Sequence, residues 1–243
     1  MPSWARQKFE NDGISVAKGE VPGYSFVHVT GYNPDIDSGA PETIWSGGGL
    51  YPWSTWDQAY ALTVVSTSAS DTGSVVVYGL DSDYNPIQEE IDFNGLTSGT
   101  GTQEFIRVNR AIYKNGDGSN VGTITVSANG TVVAHIATGF GQNLSGIYTV
   151  PAGKTAFIVS GDFSVQKNED AQVRFFVREF GSSFRIAHIG ESYQNTYRYD
   201  FNVPLPIPEK SDLDVCGSLV ETNNTRVTTN FDLILIDNNK LRR

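Results

Sequence analysis

The sequence predicts an all-β protein, built as two sequential antiparallel β-sandwich domains of jelly-roll-like type behind an extended N-terminal arm. Three observations lead there. Where apolar residues are patterned, they alternate: Ile87, Glu89, Ile91 and Phe93 share one face of a strand, and Gln88, Glu90, Asp92 and Asn94 the other. No window of about 11–18 residues carries the period of an amphipathic helix. Gly, Ser, Thr and Asn punctuate the chain throughout, and Asn94-Gly95 and Asn129-Gly130 are strong hairpin-turn dipeptides.

Taken in order, residues 1–60 read as an arm and a docking segment. Residues 1–23 are mixed and polar, broken by Gly13, Gly19 and Pro22-Gly23, and Tyr24–Val29 forms a short strand. From Gly31 to Trp56 the chain gathers Tyr32, Trp45, Tyr51, Trp53 and Trp56 around the triple glycine Gly47, Gly48 and Gly49. Each ring has on the order of 150–250 Å2 to bury, too much for a solvated loop. The segment must dock, either on its own domain or on a partner. The expectation is assembly with another subunit or protein, with Gly47–Gly49 allowing close approach or positive φ. The alternative uses of Trp45, Tyr51, Trp53 and Trp56 are anchoring to their own subunit or stacking on sugar rings.

The first sandwich is expected over 61–138, with strands near 61–66, 74–80, 87–93, 104–113, 121–127 and 131–138. In the fourth of these, Ile106, Val108 and Ile112 carry the apolar register, leaving Arg107 and Asn109 on the polar side. Residues 139–143, Gly-Phe-Gly-Gln-Asn, form the linker. The second sandwich is expected over 144–243, with a Pro151-Ala152-Gly153 turn and strands near 155–166, 171–180, 184–190, 211–220 and 226–236. Pro204-Leu205-Pro206-Ile207-Pro208 reads as an extended, ladder-breaking passage.

Composition narrows the function. Among 243 residues, 17 Lys and Arg against 27 Asp and Glu give a net charge of −10, and the basic residues are scattered, which argues against a nucleic-acid grip. No stretch reaches membrane-spanning length, and the N-terminus has no apolar secretory run. The protein is therefore expected to be made in the cytoplasm and, if exported, to leave by another route than a signal peptide. Cys216 is the only cysteine, so it has no intrachain partner; in an alternating strand it reads as a small buried thiol.

Recognisable chemistry is scarce. Asp81, Asp83 and Asn85 have the first oxygen spacings of a calcium loop, but Pro86 and Asp92 stand where its glycine and glutamate belong, so an acidic turn is the ordinary reading. His28, His135 and His188 have no second ligand at a metal spacing. Gly47-Gly48-Gly49 lacks the following Lys-Ser or Lys-Thr of a phosphate cradle, and no Gly-x-Ser-x-Gly elbow occurs. No cofactor is expected.

Several runs, in order, resemble a family of virion structural proteins from tailed bacteriophages, particularly of marine hosts. They are Asn33–Asp37 leading to Glu42–Tyr51, Gly79–Asn85, Phe105–Ala111, Tyr148–Thr155 and Phe231–Asn238. The resemblance spans roughly residues 30–238. It implies a non-enzymatic part of the particle: a head decoration or cement protein, or a neck, tail or fibre component. The implied partners are other virion proteins, the major capsid protein among them, and further copies of itself. A host-glycan-binding sandwich is the competing expectation.

Overall fold

The computed structural model describes residues 13–114, 118–193 and 195–241. Residues 1–12, where the arm would begin, lie outside them. After a helical turn at 13–17 come β1 (Tyr24–Ile36), β2 (Glu42–Thr43), β3 (Tyr60–Ser66), β4 (Thr72–Leu80), β5 (Pro86–Asn94) and β6 (Gly99–Phe105). Then follow β7 (Arg107–Lys114), β8 (Ile124–Ala128), β9 (Thr131–Ile136), β10 (Ile147–Thr149) and β11 (Lys154–Val165). β12 (Asp170–Arg178), β13 (Arg185–Tyr193), β14 (Thr196–Ile207), β15 (Asp212–Ser218) and β16 (Thr225–Asp237) complete the set, before a terminal helical turn at Asn238–Leu241.

The strands fall into four antiparallel sheets. Two of them, β6-β3-β8-β9 and β5-β4-β7, enclose one apolar cluster that includes Leu62, Val75, Phe93, Phe105 and Ile136. The other two, β1-β16-β11-β14 and β10-β15-β12-β13, enclose a second, where Phe175 of β12 meets Phe231 of β16 edge to face at 5.0 Å. In this second unit the first strand pairs with the last (β1–β16), β10 with β15, β11 with β14 and β12 with β13. Four nested antiparallel pairs, shared alternately between two facing sheets, make the eight-stranded jelly-roll arrangement.

This pairing revises the domain reading. The arm assigned to residues 1–60 is not outside the sandwiches, because β1 forms an edge of the second unit, paired from Tyr24↔Ile236 to Ile36↔Thr225. β2 and β10 then occupy successive positions on one edge of β15, at Thr43↔Cys216 and Ile147↔Asp214. The unit of β3–β9 is spliced in between them, so the two units are nested rather than sequential. Alternation announces a strand, but it does not name a partner two hundred residues away.

Two local features also differ from the sequence pattern. The expected strand at 104–113 is two strands, because the chain crosses between facing sheets at Ile106. A bulge then sets Tyr78 opposite Arg110 but Gly79 opposite Val108, so Ala111 and Tyr113 face the core while Ile112 is only half-buried. The proline passage is the end of β14, where Leu205 and Pro206 pair with Ile158 and Phe157. β14 is an edge strand, and there a missing N–H breaks no ladder. Asn129 and Gly130, at φ 46° and 79°, make the expected tight turn from β8 to β9.

Candidate functional site

The aromatic segment docks on its own chain. Trp45, Tyr51, Trp53 and Trp56 are 4, 3, 8 and 1% exposed and belong to the core of the first unit. Their polar handles show how the segment is held. Trp45 Nε1 donates to the carbonyls of Gly48 and Gly49, which both take positive φ to bring those oxygens around. Gly47 lies under the Trp45 ring, where a Cβ would sit 2.5 Å from it. Tyr51 Oη donates to Val133 O at 3.0 Å, Trp56 Nε1 to Phe105 O at 3.3 Å, and Ser46 Oγ to His135 O at 2.7 Å, all anchors on the first unit. Ile44 N donates to Val215 O, and Trp53 Nε1 to Asp214 Oδ2 at 2.7 Å, both on β15 of the second. Tyr32, on β1, packs edge to face on Phe140 at 5.4 Å.

The expected partner surface is therefore a seam stitching the two units. With so little of the four rings exposed, sugar stacking on them is excluded as well. The mismatch that marked the segment, much aromatic area with little regular structure, is resolved within the chain.

Beneath the seam lies a charged cluster that the sequence pattern did not reveal. Asp212, on β15, accepts from Arg107 Nε at 2.9 Å and Arg107 Nη2 at 3.3 Å. It also accepts from Arg178 Nε at 3.0 Å, Arg178 Nη2 at 2.5 Å and Thr149 Oγ1 at 2.7 Å. Arg107 spends a further donor, Nη1, on the carbonyls of Trp56 and Ile106. Both guanidinium groups lie 5.4 Å from the Trp53 ring. Burial works against the charge of Arg107, but the bonds and charge of Asp212 prevail and raise its pKa. One residue further along that face, Asp214 accepts from Trp53 and Thr43, and burial pushes its carboxyl up to about 6. Every residue of β15 is buried, so its two carboxylates have no wet face to use. An acidic pair inside an apolar strand was the available signal, as was a lone arginine between Ile106 and Val108.

The remaining candidates are occupied locally. Asp81 Oδ1 accepts from the N–H groups of Asp83 and Asn85 at 2.9 and 2.8 Å, and Asn85 Nδ2 donates to Oδ2, in the turn from β4 to β5. Among the described residues no group of three or more His, Cys, Asp and Glu is placed to hold a metal ion. Cys216 is 3% exposed beside Asp214 and Thr43; burial first, and then the charge of Asp214, push its thiol up. His28 sits 2.7 Å from Asp232, His135 faces Ser46, and His188 lies among Phe163, Tyr197, Tyr199 and Phe201.

No protein-family model matches the chain, and no curated protein matches it. Among solved structures it is similar to the infectious bursal disease virus VP2 subviral particle, at 9% identity over 89% of this chain and 72% of that one, with a TM-score of 0.24. The structure of the Gx strain of the same virus gives 12% identity over 90% and 82%, with a TM-score of 0.20. Likeness at this level does not bear on role.

Proposed function

We propose that the chain is a non-enzymatic structural component of a virus particle and, within that class, a head decoration or cement protein of a tailed phage. The observation that carries the reading is the nested pairing of β1 with β16 and of the three strand pairs inside it. Jelly rolls serve viral capsids, lectins and cupins alike. The choice among those roles rests on the ordered sequence resemblance to tailed-phage virion proteins. The seam supports it too: two β units joined by the buried Arg107–Asp212 ion pair and the docked aromatic segment suit a rigid lattice block.

With the aromatic segment turned inward, contact with neighbouring virion proteins falls to another surface. Ile189 on β13 and Val203 on β14 are 47 and 82% exposed, on two strands that each end a sheet. Apolar side chains on open edges are what soluble monomers avoid. Ile189→Asp and Val203→Asp are expected to lower incorporation into particles and leave the melting temperature unchanged.

The test of the reading itself is to purify particles, identify the chain by mass spectrometry and label it with immunogold. Gold on heads is the expected result. Gold on tails or fibres would move the protein there, and its absence from particles would overturn the virion assignment.

A further inference from the structure

A cleft of about 690 Å3 opens between the two units, away from the buried seam. Its volume falls within the range of about 300–1,000 Å3 usual for small-ligand sites, and unit boundaries are where such sites form. One wall is a row across the outer face of the first unit. Gln88 on β5, Tyr78 on β4 and Arg110 on β7 stand directly opposite one another, so their side chains share that face. All three are exposed, Tyr78 by 38%. The other wall is β1, where Phe26 is 45% exposed.

The charge of the cleft runs against that of the chain. The protein carries −10 overall, yet no Asp or Glu lines this space; its charged or chargeable lining is Arg110, Lys154 and His28. Lys154 is paired with Asp237 at 2.6 Å and His28 with Asp232. Arg110 donates through Nη2 to the Gln142 amide at 2.8 Å and has no carboxylate partner among the described residues. Tyr148 on β10 also lines the cleft. It is only 6% exposed, and its hydroxyl has no hydrogen-bond partner among the described residues. Burial holds that phenol well above its ordinary pKa, so it stays a neutral donor. The ring is buried, but its unpartnered oxygen is not among the fully buried polar atoms, so the hydroxyl is open to the cleft.

The geometry points to a binding site for a carboxylated oligosaccharide of the uronic-acid class. A pyranose face would lie on Tyr78 or Phe26, its carboxylate would meet the Arg110 fork, and a ring or hydroxyl oxygen would accept a hydrogen bond from the Tyr148 hydroxyl. Flat rings, a guanidinium with no carboxylate partner and one open hydroxyl match a sugar acid. A strand added along the open edge of β1 would use none of the three, and the test separates it. The inference goes beyond the virion reading and does not rest on it.

The test is calorimetric titration of the isolated protein with trigalacturonic acid and with its methyl ester. The acid is expected to bind and the ester to bind more weakly. Arg110→Met should weaken the acid by about tenfold and remove most of its advantage over the ester, since a charge-assisted bond is lost. Tyr148→Phe should weaken both ligands by about threefold, the loss of one neutral bond, with the melting temperature unchanged. No binding of the acid, or binding indifferent to both substitutions, overturns the site. So does finding that backbone amides of Phe26–Thr30 become protected in particles while no acidic sugar binds, because the cleft then holds an added strand. Failure here leaves the immunogold result untouched, and the reverse also holds.

Discussion

Asp212 is held by five hydrogen bonds from three side chains, and the sum matters more than any one of them. Removing one partner of a buried pair strands the other, at a cost of about 3–5 kcal/mol. Asp212→Ala strands two guanidinium groups, whereas Arg107→Met leaves Asp212 with Arg178 and Thr149. The expected order in denaturant unfolding is therefore Asp212→Ala well below Arg107→Met, and the reverse order would mean that the charges are not buried as described. Asp214 gives a separate readout. Below about pH 4 its carboxyl is protonated in both the folded and the unfolded chain. As pH rises to about 6 the unfolded chain has already ionised, while the folded one must ionise in the dry seam. Its contribution is thus fully present in acid and is lost as pH rises through that window, on the order of 2–3 kcal/mol in all. Asp214→Asn should abolish this fall, so the stability difference between the two proteins should grow from pH 4 to pH 6 and then stay level. A difference that does not move with pH would contradict a raised pKa. Cys216, sealed beside Asp214, should react only slowly with a thiol reagent in the native protein.

At the scale of elements, the seam formed by Trp45, Tyr51, Trp53 and Trp56 makes the sharpest expectation. Trp45→Ala and Trp53→Ala should each lower the stability of the isolated chain by about 3–5 kcal/mol, the cost of emptying a buried aromatic site. Normal melting with failed incorporation would instead restore the partner-docking role. How far such elements could be read in advance depended on how local their cause is. β5 was legible because one wet face and one dry face write themselves as alternation, and the β8–β9 turn because Asn-Gly fixes its own backbone. β14 was hidden, since prolines that forbid a central strand are harmless on an edge, and edge or centre is a property of the sheet. The register of β7 departs from its apolar pattern because a bulge at Asn109 inserts one residue, and no residue type there announces it. Arg107 and Asp212 lie 105 positions apart. Each looked like a polar interruption until the fold set them together.

At the scale of the whole molecule, the splicing of one unit into the other changes what cutting the chain does. A nick at 139–143 opens one of two connections, and the other, through residues 44–59, remains. Limited proteolysis there should leave both pieces associated, and separation after the single cut would argue against the seam. The pairing of β1 with β16 has a further consequence in time rather than space. A ribosome delivers β1 first and its partner last, with the whole inserted unit in between. Residues 60–136 hold all the strands of their two sheets and can close as soon as they emerge, whereas Tyr24–Ile36 must wait unpaired for Thr225–Asp237. Nascent chains arrested before Thr225 should therefore resist protease across 60–136 and be cut readily within 24–36 and 147–218. A waiting edge strand is also a template for wrong partners, and two arrested chains held close together should cross-pair through it. Synthesis on crowded polysomes would then yield more aggregate than synthesis on isolated ribosomes, and equal yields would show that something else shields β1 until translation ends.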